Sequence, residues 1–135
     1  MDALNDLQPP AGRAGAVLHE VATALDVLAR DERAQYTVDL HSLPLGDDER
    51  AWLRSRLGSG EVHATLDVAG RSTVDETAFP GVWWVRHADA DGHAWLEQIV
   101  VARVPMLLLA HQDDVADGAA RLAAAAGQVV ETLDG

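Results

Sequence analysis

Apolar residues recur at helical spacing in three parts of the chain. Between residues 13 and 30 they lie on one helical face, which predicts a first helix. Asp47 is typical of a helix N-cap and Gly58 of a helix end, so a short second helix is expected between them. After Pro105, the apolar residues from Leu108 to Ala126 predict a third helix.

The centre of the chain alternates apolar and polar residues with a period of two, as half-buried strands do. The alternation predicts strands at 36–40, 61–68, 71–77, 82–87 and 93–103. Apolar residues on both faces between Ile99 and Val101 indicate a central strand. Since the last four strands are joined by short links, the pattern predicts an α+β fold. Its mainly antiparallel sheet has four to five strands and is packed with about three helices.

One domain is expected over residues 13–135, after a flexible lead-in at 1–12 that contains Pro9 and Pro10. The chain of 135 residues has no Cys, which excludes disulfides, thiolate metal sites and thiol nucleophiles. The first eleven residues are polar and acidic and show no secretory pattern. The longest apolar run, 104–110, is too short to cross a bilayer. A cytoplasmic protein without membrane insertion is therefore expected.

The net charge is −12, and all ten cationic side chains are Arg. A nucleic-acid surface needs a basic face, so nucleic acid is not an expected partner. Opposite charge speeds encounter, so the acidity favours a partner with a basic patch. The competing interpretation is that acidity only serves solubility.

The segment 76–87 concentrates the aromatic side chains of this chain. It contains the only Phe, a Pro-Gly turn signal and the adjacent pair Trp83 and Trp84. Neighbouring strand residues point to opposite faces, so the two indoles cannot both enter a one-sided core. One of them is expected to face a second packed layer, a partner or solvent, and this excess of apolar surface suggests a protein that binds another protein.

Titratable side chains offer two competing kinds of site. The six His show no recognised ligand spacing. His111 with the acidic residues after it could form a hard-metal patch, or those residues could simply be the acidic first turn of a helix. The carboxylates of Glu61, Glu76 and Glu97 could converge for acid–base chemistry, or they could be solvated on an open sheet face. No phosphate-binding loop or nucleophile motif is present, and no cofactor is predicted.

Two predictions concern ion pairs. Glu97 shares a face with apolar residues and needs a partner, which Arg86 or Arg71 could supply. The arginines of the second predicted helix, Arg50, Arg54 and Arg56, are expected to form a solvated helix face.

Four motifs in order resemble those of a known family. They are Asp39-Leu40-x-x-Leu43-Pro44-Leu45, Leu57-Gly58-x-Gly60-Glu61-Val62, Glu76-Thr77-x-x-Pro80-Gly81-Val82-Trp83 and Glu97-x-x-Val100-x-x-Val104-Pro105. The pattern is similar to that of the HupH-type hydrogenase expression/formation proteins, whose relatives include HyaF and HoxQ. Family members are typically longer and carry this domain towards their C-terminal half. This chain resembles a single-domain version, in which a homodimer could replace the tandem arrangement.

The resemblance implies a non-catalytic accessory protein, or chaperone, in nickel–iron hydrogenase maturation. The implied partners are the hydrogenase small-subunit precursor and an accessory protein of thioredoxin-like fold. The contact surface expected on this basis consists of Glu76, Thr77, Phe79, Pro80, Gly81, Trp83, Trp95 and Glu97. Two alternatives remain open: a metal or cofactor carrier that uses His and carboxylate ligands such as His63 and His111, and a small enzyme built on the three carboxylates.

Overall fold

The computed structural model describes residues 12–67 and 70–134, with 130–134 described by backbone alone. Most of the lead-in predicted at 1–12 therefore lies outside the described residues. The elements, in chain order, are α1 (Ala14–Arg30), β1 (Tyr36–Asp39), α2 (Asp47–Leu57), β2 (His63–Asp67), β3 (Arg71–Glu76), β4 (Val82–Ala88), β5 (Ala94–Val101), a 3-10 turn (Met106–Leu108) and α3 (Gln112–Asp134).

The five strands form one antiparallel sheet in the order β1-β5-β4-β3-β2. The prediction of an α+β fold with a mainly antiparallel sheet is confirmed. β5 lies inside the sheet, between β1 and β4, as its two apolar faces indicated. A β-bulge interrupts the β4–β5 pairing between His87 and Ala88, beside the hairpin at Asp89–Gly92.

Helices α1 and α2 pack on one face of the sheet, where the main core lies. Trp84 on β4 and Ile99 on β5 are directly paired and almost completely buried there, with the apolar stripe of α1 above them. Leu53 and Leu57 bring α2 into the same cluster. Burial of apolar area drives this packing, at roughly 25 cal/mol per Å².

The N-terminus of α2 corrects one prediction. The residue at the N-cap position is Gly46, and Asp47 is the first helical residue. The Glu49 carboxylate accepts hydrogen bonds from the backbone N–H groups of Gly46, Arg13 and Ala14, at 3.1, 2.6 and 3.2 Å. These bonds lower the pKa of Glu49, because they stabilise the charged form, and the bond from Gly46 contributes most. One buried side chain thus joins the starts of both helices.

The chain divides into two compact units between Pro105 and Met106. The single domain expected over 13–135 stays a prediction. The second unit contains α3, which begins at Gln112, four residues after Leu108, where the predicted helical stripe starts. Its first turn is acidic, and an Asp117–Arg121 ion pair of 2.9 Å spans one turn. Among the described residues, no helix is long and apolar enough to cross a membrane.

Candidate protein-binding surface

The connection between β3 and β4 is a tightly hydrogen-bonded turn. The buried Thr77 hydroxyl accepts a bond from the Phe79 N–H at 3.1 Å, and the Thr77 N–H donates to the Val82 carbonyl at 3.0 Å. The Ala78 N–H donates to the Leu57 carbonyl at the end of α2, at 2.8 Å. These bonds tie the turn to the start of β4 and to the end of α2.

Glycine is required within this turn. Gly81 has a φ of 96°, a region that other residues seldom adopt. A Cβ at this position would come 3.1 Å from methyl carbons of both Leu25 and Leu28 on α1. The Pro-Gly signal in the sequence therefore reflects close packing of the turn against α1.

An apolar groove, here called the turn groove, lies beside this turn. It has a volume of about 370 Å³, and its apolar lining comes from α1, the end of α2 and the turn: Leu18, Val21, Ala22, Leu25, Leu57, Phe79 and Val82. Phe79, the only Phe of the chain, lies at the edge of this groove and is 47% exposed, whereas Phe side chains are usually buried. On the other side of Leu25, a second cavity of about 460 Å³ is lined by Pro80, Gly81 and Glu76, among others. The turn thus contributes the exposed Phe79 to one cavity and Pro80 and Gly81 to the other.

Five of the eight residues predicted to form a contact surface meet at this turn: Glu76, Thr77, Phe79, Pro80 and Gly81. They have different roles there. Thr77 and Gly81 shape the turn, while Phe79 and Pro80 are exposed. Glu76 accepts a hydrogen bond of 3.0 Å from the Glu61 N–H and so holds the loop before β2.

The burial of Trp83 and Trp84 corrects the prediction that this pair leaves apolar surface exposed. Trp83 and Trp84 occupy opposite faces of β4, as expected, but both are buried, with exposures of 5% and 3%. Trp84 belongs to the helix-side core, and the Trp83 indole N–H donates to the Ala102 carbonyl at 3.0 Å. The expected surplus of exposed Trp surface is therefore absent from this pair, and Trp83 is a buried residue bonded to the chain after β5.

Trp95 and Glu97 lie towards the opposite end of the sheet. β4 runs from the turn to the hairpin, a separation of roughly 20 Å at about 3.3 Å per residue. Trp95 is 62% exposed near that hairpin and stacks on His87, with ring centroids 5.4 Å apart. Glu97 accepts a bond of 2.8 Å from the Trp84 indole N–H. The predicted surface is thus divided between two distant regions.

A polar cavity, here called the arginine pocket, contains Glu97 and was not anticipated. It has a volume of about 370 Å³ and lies between α2 and the sheet, lined by Arg50, Ala51, Arg54, Thr73, Asp75, Trp84, Arg86 and Glu97. The guanidinium of Arg54 lies 5.1 Å from the centre of the Trp84 ring and 3.2 Å from the Asp75 carboxylate. Arg50, at 3.8 Å, is the cation near Glu97, in place of the expected Arg86 or Arg71. Arg50 and Arg54 therefore reach the sheet instead of forming a solvated helix face.

The three carboxylates proposed for acid–base chemistry are not assembled into one site. Glu76 pairs with Trp83 across the ladder, and Glu97 pairs with Arg86. Direct partners in a ladder share a face, and Trp83 and Arg86 are an odd number of residues apart. Glu76 and Glu97 therefore lie on opposite faces of the sheet, and Glu61 precedes β2 in an exposed loop.

The histidines suggested as metal ligands have other partners. Both ring nitrogens of His63 face acceptors, the Asp75 carboxylate at 2.9 Å and the Gly60 carbonyl at 3.0 Å. The bond to Asp75 raises the pKa of His63, because it favours the imidazolium form. His111 accepts a bond from the Asp113 N–H at the start of α3. Within the described part of the chain, the one group with metal-compatible spacing is Asp89, Asp91 and His93 in the hairpin, and all three residues are exposed.

The groove residues of α1 were visible in the sequence only as members of a helical stripe. Leu18 and Leu25 lie at the stripe's margins and are half-buried. A stripe wider than the facing sheet can cover is a signal for such a groove. The arginine pocket had a weaker signal, because the Arg residues of α2 are distant in sequence from Arg86 of β4.

The fold and the turn groove define a small α+β domain with an exposed apolar groove. The HupH hydrogenase expression protein C-terminal conserved region matches residues 12–129 of this chain. The chain therefore belongs to the HupH hydrogenase expression protein family, through its C-terminal conserved region.

Curated relatives and a solved structure agree with this assignment. The chain is 35% identical over 113 residues to the hydrogenase expression/formation protein HoxQ of Azotobacter vinelandii, covering 81% of this chain and 39% of HoxQ. It is 28% identical over 87 residues to the hydrogenase-1 operon protein HyaF of Escherichia coli, covering 64% of this chain and 30% of HyaF. The chain thus spans about two fifths or less of these relatives. The hydrogenase expression protein HupH from Thiobacillus denitrificans superposes with a TM-score of 0.81 at 42% identity, covering 87% of this chain and 98% of that chain.

Proposed function

We propose that this chain is a non-catalytic accessory protein in nickel–iron hydrogenase maturation, and that it binds the hydrogenase small-subunit precursor. Its relatives are named as hydrogenase expression/formation proteins, which supports the maturation role. The observation that carries the binding role is the exposed Phe79 beside the apolar turn groove. An aromatic anchor next to a concave apolar surface is a common basis for protein recognition.

The charge of the chain supports the same partner. A net charge of −12 favours encounter with a basic segment, and the export signal implied for the small-subunit precursor is basic. An apolar part of that segment would occupy the turn groove. The absence of Cys prevents thiolate competition for the iron–sulfur clusters of the subunit.

Non-catalytic action is supported by the positions of the carboxylates. Glu76 and Glu97 lie on opposite sheet faces, so they cannot act as an acid–base pair on one substrate. Binding through a preformed surface needs no such pair.

Capture of the precursor by the purified chain tests this proposal. We expect the wild-type chain to retain the small-subunit precursor, and Phe79→Ser to lose most of that binding, because the exposed ring is removed without disturbing the core. Trp95→Ser is the matched control, since Trp95 is a similarly exposed aromatic residue about 20 Å away.

Phe79→Ser and Trp95→Ser together distinguish binding at the turn from binding near the hairpin. Loss of capture with Trp95→Ser alone would move the site to the hairpin region. Failure of the folded wild-type chain to bind the precursor would overturn the small-subunit proposal. Near-ultraviolet circular dichroism of each variant verifies that it has folded.

Further parts of the proposal concern assembly and location. We place the protein in the cytoplasm, where the precursor is made. A thioredoxin-like accessory protein would join the complex, and a second copy of this chain would pair with the first as a homodimer. Light scattering of the chain, alone and with each partner, measures these stoichiometries; a monomer at all concentrations contradicts the homodimer.

A further inference from the structure

The arginine pocket has an excess of positive charge in a strongly acidic protein. Three guanidinium groups line it, from Arg50, Arg54 and Arg86, against the two carboxylates of Asp75 and Glu97. The whole chain has a net charge of −12. Such a local reversal of sign is the electrostatic condition for holding an anion.

The hydrogen bonds of the pocket leave much of its donor capacity unused. A guanidinium has five N–H donors. Arg54 donates one hydrogen bond to described residues, to Asp75, and Arg86 donates one, to the Gly92 carbonyl at 3.2 Å. Arg50 is more fully engaged, with Asp47 at 2.6 Å and the Leu45 carbonyl at 3.3 Å. The unused donors therefore belong mainly to Arg54 and Arg86.

Arg86 is the cation with the fewest restraints from acidic neighbours. It lies directly opposite Glu97 in the β4–β5 ladder, where an ion pair would be expected. Glu97 instead accepts the Trp84 indole N–H and approaches Arg50. Among the described side chains, no carboxylate lies within ion-pair distance of the Arg86 guanidinium. The indole thus holds Glu97 away from Arg86 and leaves this cation available to a ligand.

The guanidinium of Arg54 is also held in place before any ligand binds. Its guanidinium lies over the buried Trp84 ring and is anchored at one end by Asp75, which also bonds His63. A stacked guanidinium keeps its in-plane donors free at its edges. Little side-chain entropy is then lost when an acceptor binds.

From these contacts we propose that the arginine pocket is a binding site for a carboxylate group, held by Arg54 and Arg86. A planar carboxylate matches the fork of guanidinium donors, and its single charge matches the excess of one positive charge in the lining. Phosphate, with a charge of about −1.5 to −2, would exceed the single excess positive charge of the lining and leave part of its charge unbalanced beside Asp75 and Glu97. The carboxylate comes from a small free acid or from an acidic residue of a peptide.

Nuclear magnetic resonance of the full chain tests this site directly. The signals to follow are the Nε–H groups of Arg54 and Arg86 and the indole N–H of Trp84. We expect saturable shifts of these signals with glutarate or with an acetylated, amidated Gly-Glu-Gly peptide. Tighter binding of glutarate identifies a free acid as the source, and tighter binding of the peptide identifies a peptide-borne carboxylate. Inorganic phosphate is the third probe.

Three variants give the test its control. Arg86→Gln should weaken binding of the better probe about tenfold or more, since a charge-assisted bidentate contact is lost. Arg86→Lys keeps the charge and should weaken it nearly as much, because the fork geometry is lost. Arg33→Gln removes the same charge from an exposed loop and should leave binding unchanged.

Several outcomes would overturn the site. They are the absence of saturable shifts with both carboxylates, equal weakening by Arg33→Gln and Arg86→Gln, and phosphate binding as tight as carboxylate binding. Spectra of each variant without probe verify the fold. This test does not involve the hydrogenase precursor, so the site and the proposed function can fail independently.

Discussion

The turn groove and the arginine pocket have similar volumes, about 370 Å³ each, and opposite chemistry. The groove is lined mainly by apolar side chains, and the backbone bonds of the turn determine its shape. The pocket is lined by charged side chains, and ion pairs over a buried indole determine its shape. The geometry of the groove should therefore be insensitive to pH, whereas that of the pocket should depend on protonation.

The largest expected effect is a loss of stability at the turn. Gly81→Ala should lower the free energy of unfolding by about 2–3 kcal/mol, with about 1–2 kcal/mol from the positive φ and the rest from contact with Leu25 and Leu28. Gly92→Ala is the control, because Gly92 has a φ of 86° and no atom within 4 Å of an added Cβ. Urea unfolding measures both changes. Equal losses would show that close packing of the turn on α1 contributes nothing.

A smaller loss is expected when the turn loses a side-chain acceptor. Thr77→Val leaves the Phe79 N–H without its 3.1 Å partner and should cost about 1–2 kcal/mol of unfolding free energy. Thr73→Val changes a half-buried residue of the arginine pocket in the same way and should cost much less. Urea midpoints of the two variants rank them, and the opposite ranking would contradict the role given to Thr77.

The smallest effect is expected at His63, which bonds the pocket residue Asp75, and it should depend on pH. The pKa of His63 is raised in the folded protein, so its stabilisation is complete below the ordinary value of about 6.5 and is lost as the pH rises through the raised value. His63→Gln should therefore lower the melting temperature more at about pH 5.5 than at about pH 8.5. His93→Gln, at an exposed hairpin residue, is the control. A pH-independent difference would contradict the His63–Asp75 contribution.

Short-range patterns predicted most of the fold. Alternation placed all five strands, and the bounds of α1 and the glycine end of α2 followed from stripe and cap signals. The N-cap of α2 was wrong because Glu49 caps the helix through a side chain three residues later, which allows Gly46 at the cap. The helix α3 begins four residues after Leu108, the first residue of the predicted stripe, because Met106–Leu108 form a 3-10 turn.

The candidate site was less predictable, because it depends on contacts between distant elements. The sequence located the turn, and alternation correctly separated Trp83 from Trp84. It could not show that both faces of β4 are buried, so the inference of an exposed indole was wrong. The sequence also could not reveal that Trp84 bonds Glu97 and leaves Arg86 without an acidic partner. Glu97 lies near both the Trp84 indole and Arg86, and only the structure shows which of them it bonds.

The outer strands of the sheet restrict how another chain can attach. β1 has four residues and β2 has five, and β2 begins and ends with His63 and Asp67. Short edges with charged side chains disfavour pairing with an added strand. A visiting polypeptide would thus gain little by extending the ladder, and its recognition would depend on side chains entering concavities. The same edges also hinder amyloid-like stacking of this chain at high concentration.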